Sequence, residues 1–131
     1  MASSLIKELR IQSGQRMLIL NAPPGYTDSL GELPEGAEVC EVPEGDFDFV
    51  HLFVKDSGEF ASLGLPAIEA VRYDGLLWIS YPKRSSKVET DLSRDVMWEL
   101  VEDMALRPVA QVSIDPVWSA LRFRPSDEVG R

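Results

Sequence analysis

A cluster of cations and hydroxyl groups is the feature of this sequence best suited to chemistry. Lys83, Arg84 and Lys87 place three positive charges within five residues, with Ser85 and Ser86 between them. The chain carries 22 acidic and 13 basic side chains, a formal net charge of −9, so such a concentration of cations is unexpected. Ammonium, guanidinium and hydroxyl groups donate to phosphate and carboxylate oxygens. The pattern predicts an anion-binding loop; the alternative is a solvated loop whose lysines keep an acidic protein soluble.

The elements on either side of this loop are suited to positioning an anion site. The apolar run at 76–81 predicts a buried strand, and Thr90 or Asp91 is expected to cap an amphipathic helix that runs to Met104. A helix N-terminus carries a partial positive charge, so donors between a strand end and a helix start form a common anion site in α/β folds. Asn21 follows an earlier predicted strand and is expected to join the site at the same sheet edge.

The rest of the chain alternates between apolar runs typical of strands and short segments typical of helices. The predicted strands are 16–21, 37–42, 47–54, 76–81, 109–114 and 118–123. Other predicted helices start at Ser4, at Asp28 and at Asp56 or Ser57. The third is expected to be divided at Gly64 and Pro66 and to stop at the turn Tyr73-Asp74-Gly75, and the capped helix to stop at Arg107-Pro108. This order predicts a three-layer α/β fold: a mainly parallel sheet of about six strands with a C-terminal antiparallel strand pair.

The connection between the second and third predicted strands leaves two arrangements open. Parallel neighbours need a crossover of about a dozen residues, yet only the turn Pro43-Glu44-Gly45-Asp46 separates strand 37–42 from strand 47–54. Either the second strand is very short and residues 41–46 run back extended, or the two strands form an antiparallel hairpin. We favour the short second strand, near an edge of the sheet.

Composition limits the class of protein. A chain of 131 residues is expected to form a single domain, 1–131, with residues 1–3 and 125–131 frayed. The acidic balance argues against binding to nucleic acid or to anionic membranes. No apolar run approaches the roughly 20 residues of a membrane-spanning helix, and the N-terminus is too polar for a signal peptide. Together with the single Cys40, which fits a reducing compartment, this predicts a cytoplasmic protein.

The remaining residues with chemical potential give weaker indications. His51 lies in mid-strand among apolar residues, which favours a core histidine over a catalytic one. With one His and one Cys in the chain, no metal site is expected. Ser119 lacks the glycines of a nucleophile elbow and is expected to be structural. Trp98 falls off the apolar stripe of its helix, which makes it a candidate contact for a protein partner or for a second copy of the chain.

Four features follow one another along the chain: Gly14-Gln15-Arg16 leading into RMLIL, the run FDFVHLFV, the passage YDGLLWIS and the closing strand pair. In this order they resemble the class I, Rossmann-type methyltransferase fold. More narrowly, YPKRSSKVETDLSRD and DPVWSALRF resemble a small bacterial family of unknown function built on that core. The resemblance covers most of Leu9–Arg124. It implies a reduced methyltransferase-like domain and brings no established activity.

The loop after the first strand departs from the methyltransferase pattern. In that fold an acid-x-Gly-x-Gly-x-Gly loop lets the backbone approach S-adenosylmethionine. Here the matching loop is Asn21-Ala22-Pro23-Pro24-Gly25, in which two prolines remove N–H groups and add bulk. By the resemblance, Glu41 or Glu44 stands where a ribose-binding acid is found. The loop nevertheless predicts weak or absent S-adenosylmethionine binding, and no cofactor is expected.

Two classes of function follow. The first is a small-molecule-binding domain that takes an anionic, phosphate- or nucleotide-like ligand at the C-terminal edge of the sheet and is not an active methyltransferase. The second is a non-catalytic interaction or regulatory protein that uses its acidic surface and Trp98. An S-adenosylmethionine-dependent methyltransferase is a further alternative.

Overall fold

One six-stranded sheet organises the protein, whose computed structural model describes residues 4–129. The strands are β1 (Arg16–Leu20), β2 (Glu38–Cys40), β3 (Phe47–Phe53), β4 (Val71–Pro82), β5 (Leu106–Ser113) and β6 (Trp118–Pro125). Their spatial order is β2-β1-β3-β4-β6-β5. The first four run parallel, and β6 is antiparallel to both β4 and β5. The predicted mainly parallel sheet with a C-terminal antiparallel pair is confirmed, and β3 and β4 are parallel neighbours within it.

Helices cover both faces of the sheet. They are α1 (Ser4–Glu8), α2 (Tyr26–Ser29), α3 (Ser57–Ala70) and α4 (Arg94–Glu102). One core cluster joins Leu9 and Tyr26 to Trp78 on the α1–α2 side, where the Trp78 indole also donates to the Leu9 carbonyl over 3.1 Å. A second cluster joins Phe60 and Met97 to the α3–α4 side. The fold therefore has the three layers that the sequence predicts.

The short second strand that the sequence favours is present. β2 has three residues, lies at the edge of the sheet and runs parallel to β1, whereas β3 lies on the other side of β1. No β2–β3 hairpin therefore forms. Arg16 holds the returning segment, because its guanidinium donates to the carbonyls of Glu44 and Asp46 over 2.9 and 3.1 Å and lies 4.3 Å from the centre of the Phe47 ring.

The predicted division of the third helix is wrong, because α3 continues through Gly64 and Pro66. A proline inside a helix costs about 3 kcal/mol, since it removes a hydrogen bond and crowds the preceding turn. Burial of Phe60, Ala67 and Ala70 against the sheet offsets that cost. Gly64 serves packing here, because a Cβ at this position would lie 2.9 Å from Cε1 of Phe60.

The predicted turn at Tyr73-Asp74-Gly75 is also wrong, since these residues lie inside β4. Asp74 takes the left-handed conformation, with φ of 56°, and a register irregularity falls in the pairing of this region with β3. Arg124 holds Asp74 in place through two hydrogen bonds of 2.9 and 2.8 Å to its carboxylate. A contact with the far end of the chain thus extends the strand through residues that usually end one.

The C-terminal part departs from the sequence pattern in the same way. The helix ends at Glu102, and Arg107-Pro108, expected to be its stop, lies in β5. β5 is an edge strand, where proline is tolerated. Residues 125–129, where fraying was expected, close β6 and form a 3₁₀ turn (Ser126–Glu128) whose first amide donates to the Ala105 carbonyl over 2.8 Å. The fraying expected at residues 1–3, 130 and 131 lies outside the described residues.

No helix in the described part of the chain is long and apolar enough to cross a membrane.

Candidate functional site

The carboxyl ends of the parallel strands meet at one edge of the sheet, and loops follow each of them. β1 has β2 on one side and β3 on the other, so the connections diverge here and open a crevice. Asn21 joins the end of β1 to the end of β3, because its Nδ2 donates to the Phe53 carbonyl over 2.9 Å. Clefts with different charges lie along this edge, and one of them, of about 800 Å³, places Arg84 beside Asp56, Glu89 and Asp91.

The proline-loop cleft, of about 450 Å³, lies at the ends of β1 and β2. It is lined by Ile19, Asn21, Ala22, Pro23, Pro24, Gly25, Thr27, Asp28, Val39 and Glu41. The charged groups in this lining are carboxylates, and the two prolines contribute no N–H donor. The helix that follows is only four residues long and starts at Tyr26, before the predicted Asp28, after a left-handed Gly25 with φ of 87°. This cleft is poorly suited to an anion.

The basic cleft, of about 590 Å³, lies between the loop after β4, the start of α4 and the C-terminal hairpin. It is lined by Tyr81, Lys83, Arg84, Ser85, Ser93, Arg94, Gln111, Ser113 and Ser119. Three of these residues are cations, four carry serine hydroxyls, and no carboxylate belongs to this lining. In a protein of net charge −9 this is a local reversal of sign.

Lys83 is fixed at this site by both its backbone and its side chain. Its amide donates to the Val117 carbonyl over 2.7 Å, and its ammonium donates to the Ser113 hydroxyl over 2.6 Å. Ser86 closes the loop behind it, because the amide and the hydroxyl of Ser86 both donate to the Lys83 carbonyl, over 3.0 and 2.7 Å. The loop is therefore a hydrogen-bonded turn tied to the hairpin.

The N-terminus of α4 borders the basic cleft. Ser93 is its cap and accepts from the Val96 amide over 3.2 Å, so that Arg94 is the first helical residue. The predicted caps, Thr90 and Asp91, are wrong for this helix. Several capping residues follow one another here, and the chain turns into the helix only at the last of them.

Thr90 and Asp91 have other partners. The Thr90 hydroxyl accepts from the Leu92 amide over 3.0 Å, which forms a local turn. The Asp91 carboxylate accepts from the amide of Ser57 over 2.8 Å and from the Ser57 hydroxyl. These bonds from Ser57 hold the pKa of Asp91 below its usual range. Asp91 thus ties the loop to the start of α3, next to the Asp56 cap, which accepts from the Glu59 amide over 2.8 Å.

The sequence-predicted site residues separate into three groups. Lys83, Arg84 and Ser85 lie together in the basic cleft. Ser86 supports the turn, and Lys87 is exposed outside the cleft lining. Asn21 lies in the proline-loop cleft rather than with the cations.

Sequence reasoning missed six of the nine residues that line the basic cleft. Arg94 was not among the predicted site residues, and Ser119 was expected to be structural. Gln111 and Ser113 alternate on one face of β5, and Ser113 and Tyr81 both pair with Ser119. The Gln111 amide donates to the Ser119 hydroxyl over 3.0 Å. The alternation of polar residues along β5 can be read from the sequence. The strand register that places these residues near Lys83 depends on long-range pairing.

His51 is fully buried and satisfied at both ring nitrogens. The Tyr26 hydroxyl lies 2.6 Å from its Nδ1, and the Ser80 hydroxyl lies 2.6 Å from its Nε2. Burial lowers the pKa of His51 from 6.5 to about 3, so the ring is neutral near pH 7. The ring also stacks on Phe53 at 4.2 Å. The group has no access to a ligand and acts in the core. No cluster of three or more His, Cys, Asp or Glu side chains within residues 4–129 is arranged for a metal.

The sheet order and the two helix layers define a methyltransferase-like fold, and solved structures share it. The DhpI–SAH complex matches at a TM-score of 0.62 with 14% identity, over 92% of this chain and 81% of that one. A SAM-dependent methyltransferase from Aquifex aeolicus matches at 0.59 with 15% identity, over 92% and 87% of the two chains. The N-methyltransferase NodS from Bradyrhizobium japonicum WM9, in complex with S-adenosyl-L-homocysteine, matches at 0.61 with 13% identity, over 92% and 83%. At such identities the likeness defines the fold alone. No protein-family model and no curated protein matches the sequence.

Proposed function

We propose that this protein binds a small anionic molecule, phosphate- or nucleotide-like, in the basic cleft, and that it is not an active methyltransferase. One observation carries the proposal: Lys83, Arg84 and Arg94 line the same cleft, which has no carboxylate in its lining. The volume of about 590 Å³ falls within the range of small-molecule sites. Charge and size together favour a small organic anion.

The hydrogen bonding of the cleft leaves donors for a ligand. The Lys83 ammonium has three protons and gives one to Ser113, so two remain. Arg84 and Arg94 are exposed and present fork-shaped guanidinium groups that match phosphate or carboxylate geometry. The N-terminus of α4 contributes about 0.3–1 kcal/mol toward a nearby negative charge. These donors suit an anion whose remaining atoms lie against Tyr81 and Gln111.

The proline-loop cleft supports the second part of the proposal. DhpI and NodS are solved with SAH, so the fold accommodates such a molecule in those proteins. In this chain Pro23 and Pro24 line the cleft after β1, where N–H donors and close backbone approach are needed. Glu41, one of the two acids that the resemblance matches to a ribose-binding position, lines the same cleft. A single acid does not replace the missing backbone donors.

The experiment is a thermal-shift screen with matched pairs: AMP against adenosine, and glucose 6-phosphate against glucose, with S-adenosylmethionine included. A ligand that binds only the folded state raises the melting temperature. We expect the charged member of a pair to raise it and the neutral member to leave it unchanged. Equal shifts within every pair would show that the anionic group is not recognised.

A second function, contact with another protein, is favoured by Trp98. Its side chain is 44% exposed on α4, and it borders a shallow depression with Asp95, Glu99 and Glu102. Exposed tryptophans are typical of contact surfaces. Sedimentation of the unaltered protein and of Trp98→Ala tests whether Trp98 forms a homo-oligomer. An oligomer of the unaltered protein that the variant does not form supports this contact. Monomeric behaviour of both proteins excludes it.

A further inference from the structure

A group of arginines lies on the opposite, α1-facing side of the sheet. Arg122 of β6 pairs with Trp78 of β4, whose indole is bonded to the carbonyl of Leu9. This brings Arg10, the next residue, close to Arg122. Arg124 follows on the same face of β6. The acidic chain thus has a second place where positive charge collects.

Within residues 4–129, Arg124 is the one of these three arginines whose guanidinium is hydrogen-bonded to a carboxylate. Both carboxylate oxygens of Asp74 accept from Arg124, over 2.9 and 2.8 Å. Within residues 4–129, Arg10 and Arg122 make no ion pair or side-chain hydrogen bond. The Nε atom of Arg122 is buried and has no acceptor. Buried polar atoms are nearly always hydrogen-bonded, so the protein does not fully satisfy the Arg122 side chain.

The charges around Arg122 make its unpaired state unfavourable. Burial lowers the pKa of its guanidinium first, the positive charges of Arg10 and Arg124 lower it further, and the Asp74 carboxylate opposes them. Removing a cation from water without pairing it is costly, and like charges nearby add to the cost. An anion between Arg10 and Arg122 removes both penalties. Ala110, the cross-strand neighbour of Arg122, is a small residue.

We propose that Arg10 and Arg122 form a second anion site that binds a carboxylate or phosphate group through their terminal guanidinium nitrogens. The site lies on a different face from the basic cleft and does not depend on the function proposed above. Two adjacent guanidinium groups suit the planar carboxylate and the tetrahedral phosphate alike, because both accept paired N–H donors.

Nuclear magnetic resonance of the arginine Nε–H groups tests the site directly. The Lys83→Ala/Arg84→Ala protein is used as the parent, so that anions in the basic cleft do not contribute. Sodium phosphate and sodium acetate are titrated separately, each against sodium chloride at matched ionic strength. We expect the Arg122 Nε–H signal to shift saturably with at least one of the two oxyanions and not with chloride. The oxyanion that binds with the higher affinity identifies phosphate or carboxylate as the preferred group.

A pair of variants distinguishes specific binding at this site from a general effect of the protein's charge. Arg10→Asn removes the guanidinium group, and asparagine tolerates the left-handed backbone at this position, where φ is 63°. It should weaken oxyanion binding by about tenfold, the loss of one charge-assisted bond. Lys55→Gln removes an exposed charge from the loop after β3 and should leave affinity unchanged. An Arg122 signal that moves equally in chloride, or an affinity that Arg10→Asn leaves intact, overturns the proposal.

Discussion

The Lys83 ammonium donates a hydrogen bond to the Ser113 hydroxyl across 2.6 Å, and this bond joins the loop after β4 to the end of β5. The amide of Lys83 makes a second link, to the Val117 carbonyl. The position of the first cation of the basic cleft therefore depends on the C-terminal hairpin. The cleft is complete only when that hairpin pairs with β4 in its native register.

Ser113→Ala should weaken anion binding in the basic cleft. Without its acceptor the Lys83 side chain gains rotational freedom, and the loss of a hydrogen bond worth about 0.5–1.5 kcal/mol corresponds to a roughly two- to tenfold weaker affinity. Stability should change by less than about 0.5 kcal/mol, because Ser113 is exposed. Calorimetric titration with AMP measures the effect. Ser62→Ala, on the exposed part of α3, is the control. Equal affinities for the Ser113 and Ser62 variants would contradict this role.

Acid should destabilise the protein through His51. The histidine pKa is 6.5 when unfolded and about 3 when folded. Between these values the unfolded chain binds a proton that the folded protein excludes. The free energy of unfolding therefore falls as pH falls through this window, by up to about 1.4 kcal/mol per pH unit. Stability from this group is fully present above pH 6.5.

His51→Gln keeps polar contacts for Tyr26 and Ser80 but does not titrate. Urea unfolding of both proteins at pH 7, 6, 5 and 4 measures the difference, and the carboxylates common to both cancel. We expect the variant to be less stable at pH 7 and to lose less stability on acidification. Parallel pH profiles would show that the buried imidazole does not contribute.

Gly64→Ala should destabilise the protein although alanine favours helices. The new Cβ would lie 2.9 Å from a carbon of the Phe60 ring, which is only 5% exposed. Forcing apart a packed contact costs about 1–3 kcal/mol, more than the gain of up to about 1 kcal/mol in helix propensity. Chemical denaturation measures the sum, with Ser62→Ala in the same helix as the control. A stabilised Gly64→Ala protein would mean that the ring moves freely.

S-adenosylmethionine should bind weakly or not at all. Pro23 and Pro24 line the cleft where the backbone of a methyltransferase approaches its cofactor. Calorimetry with S-adenosylmethionine and S-adenosylhomocysteine should give no heat of binding in the micromolar range. Micromolar binding, with competition between the two, would contradict this prediction.

The fold was largely predictable because its central strands are continuous apolar runs. The segments 47–54 and 76–81 could only be buried strands, and the polar turn before Trp118 indicated the closing hairpin. The errors fall on residues that usually end an element. Pro66, Asp74 and Pro108 each lie inside one, because packing, the Arg124 bond or an edge position outweighs their local preference.

The site was less predictable than the fold. Lys83, Arg84 and Ser85 are adjacent in sequence, so they could be expected to lie together, and they do line one cleft. Arg94 and Ser113 reach the same cleft only through the start of α4 and the register of β5 on β6. Asn21 was placed at the correct edge of the sheet but in the other cleft, because strand order does not specify how far apart two loops lie.

The most direct test of the account compares three proteins in calorimetric titrations with pyrophosphate: the unaltered chain, Lys83→Ala/Arg84→Ala and Lys87→Ala. Lys87 is the matched control, since it is a cation of the same loop that lies outside the cleft lining. We predict at least about tenfold weaker binding for the double variant, from the loss of two charge-assisted contacts, and unchanged binding for Lys87→Ala, with both variants retaining the parent melting temperature. Equal losses in the two variants, or no loss in the double variant, would contradict an anion site in the basic cleft.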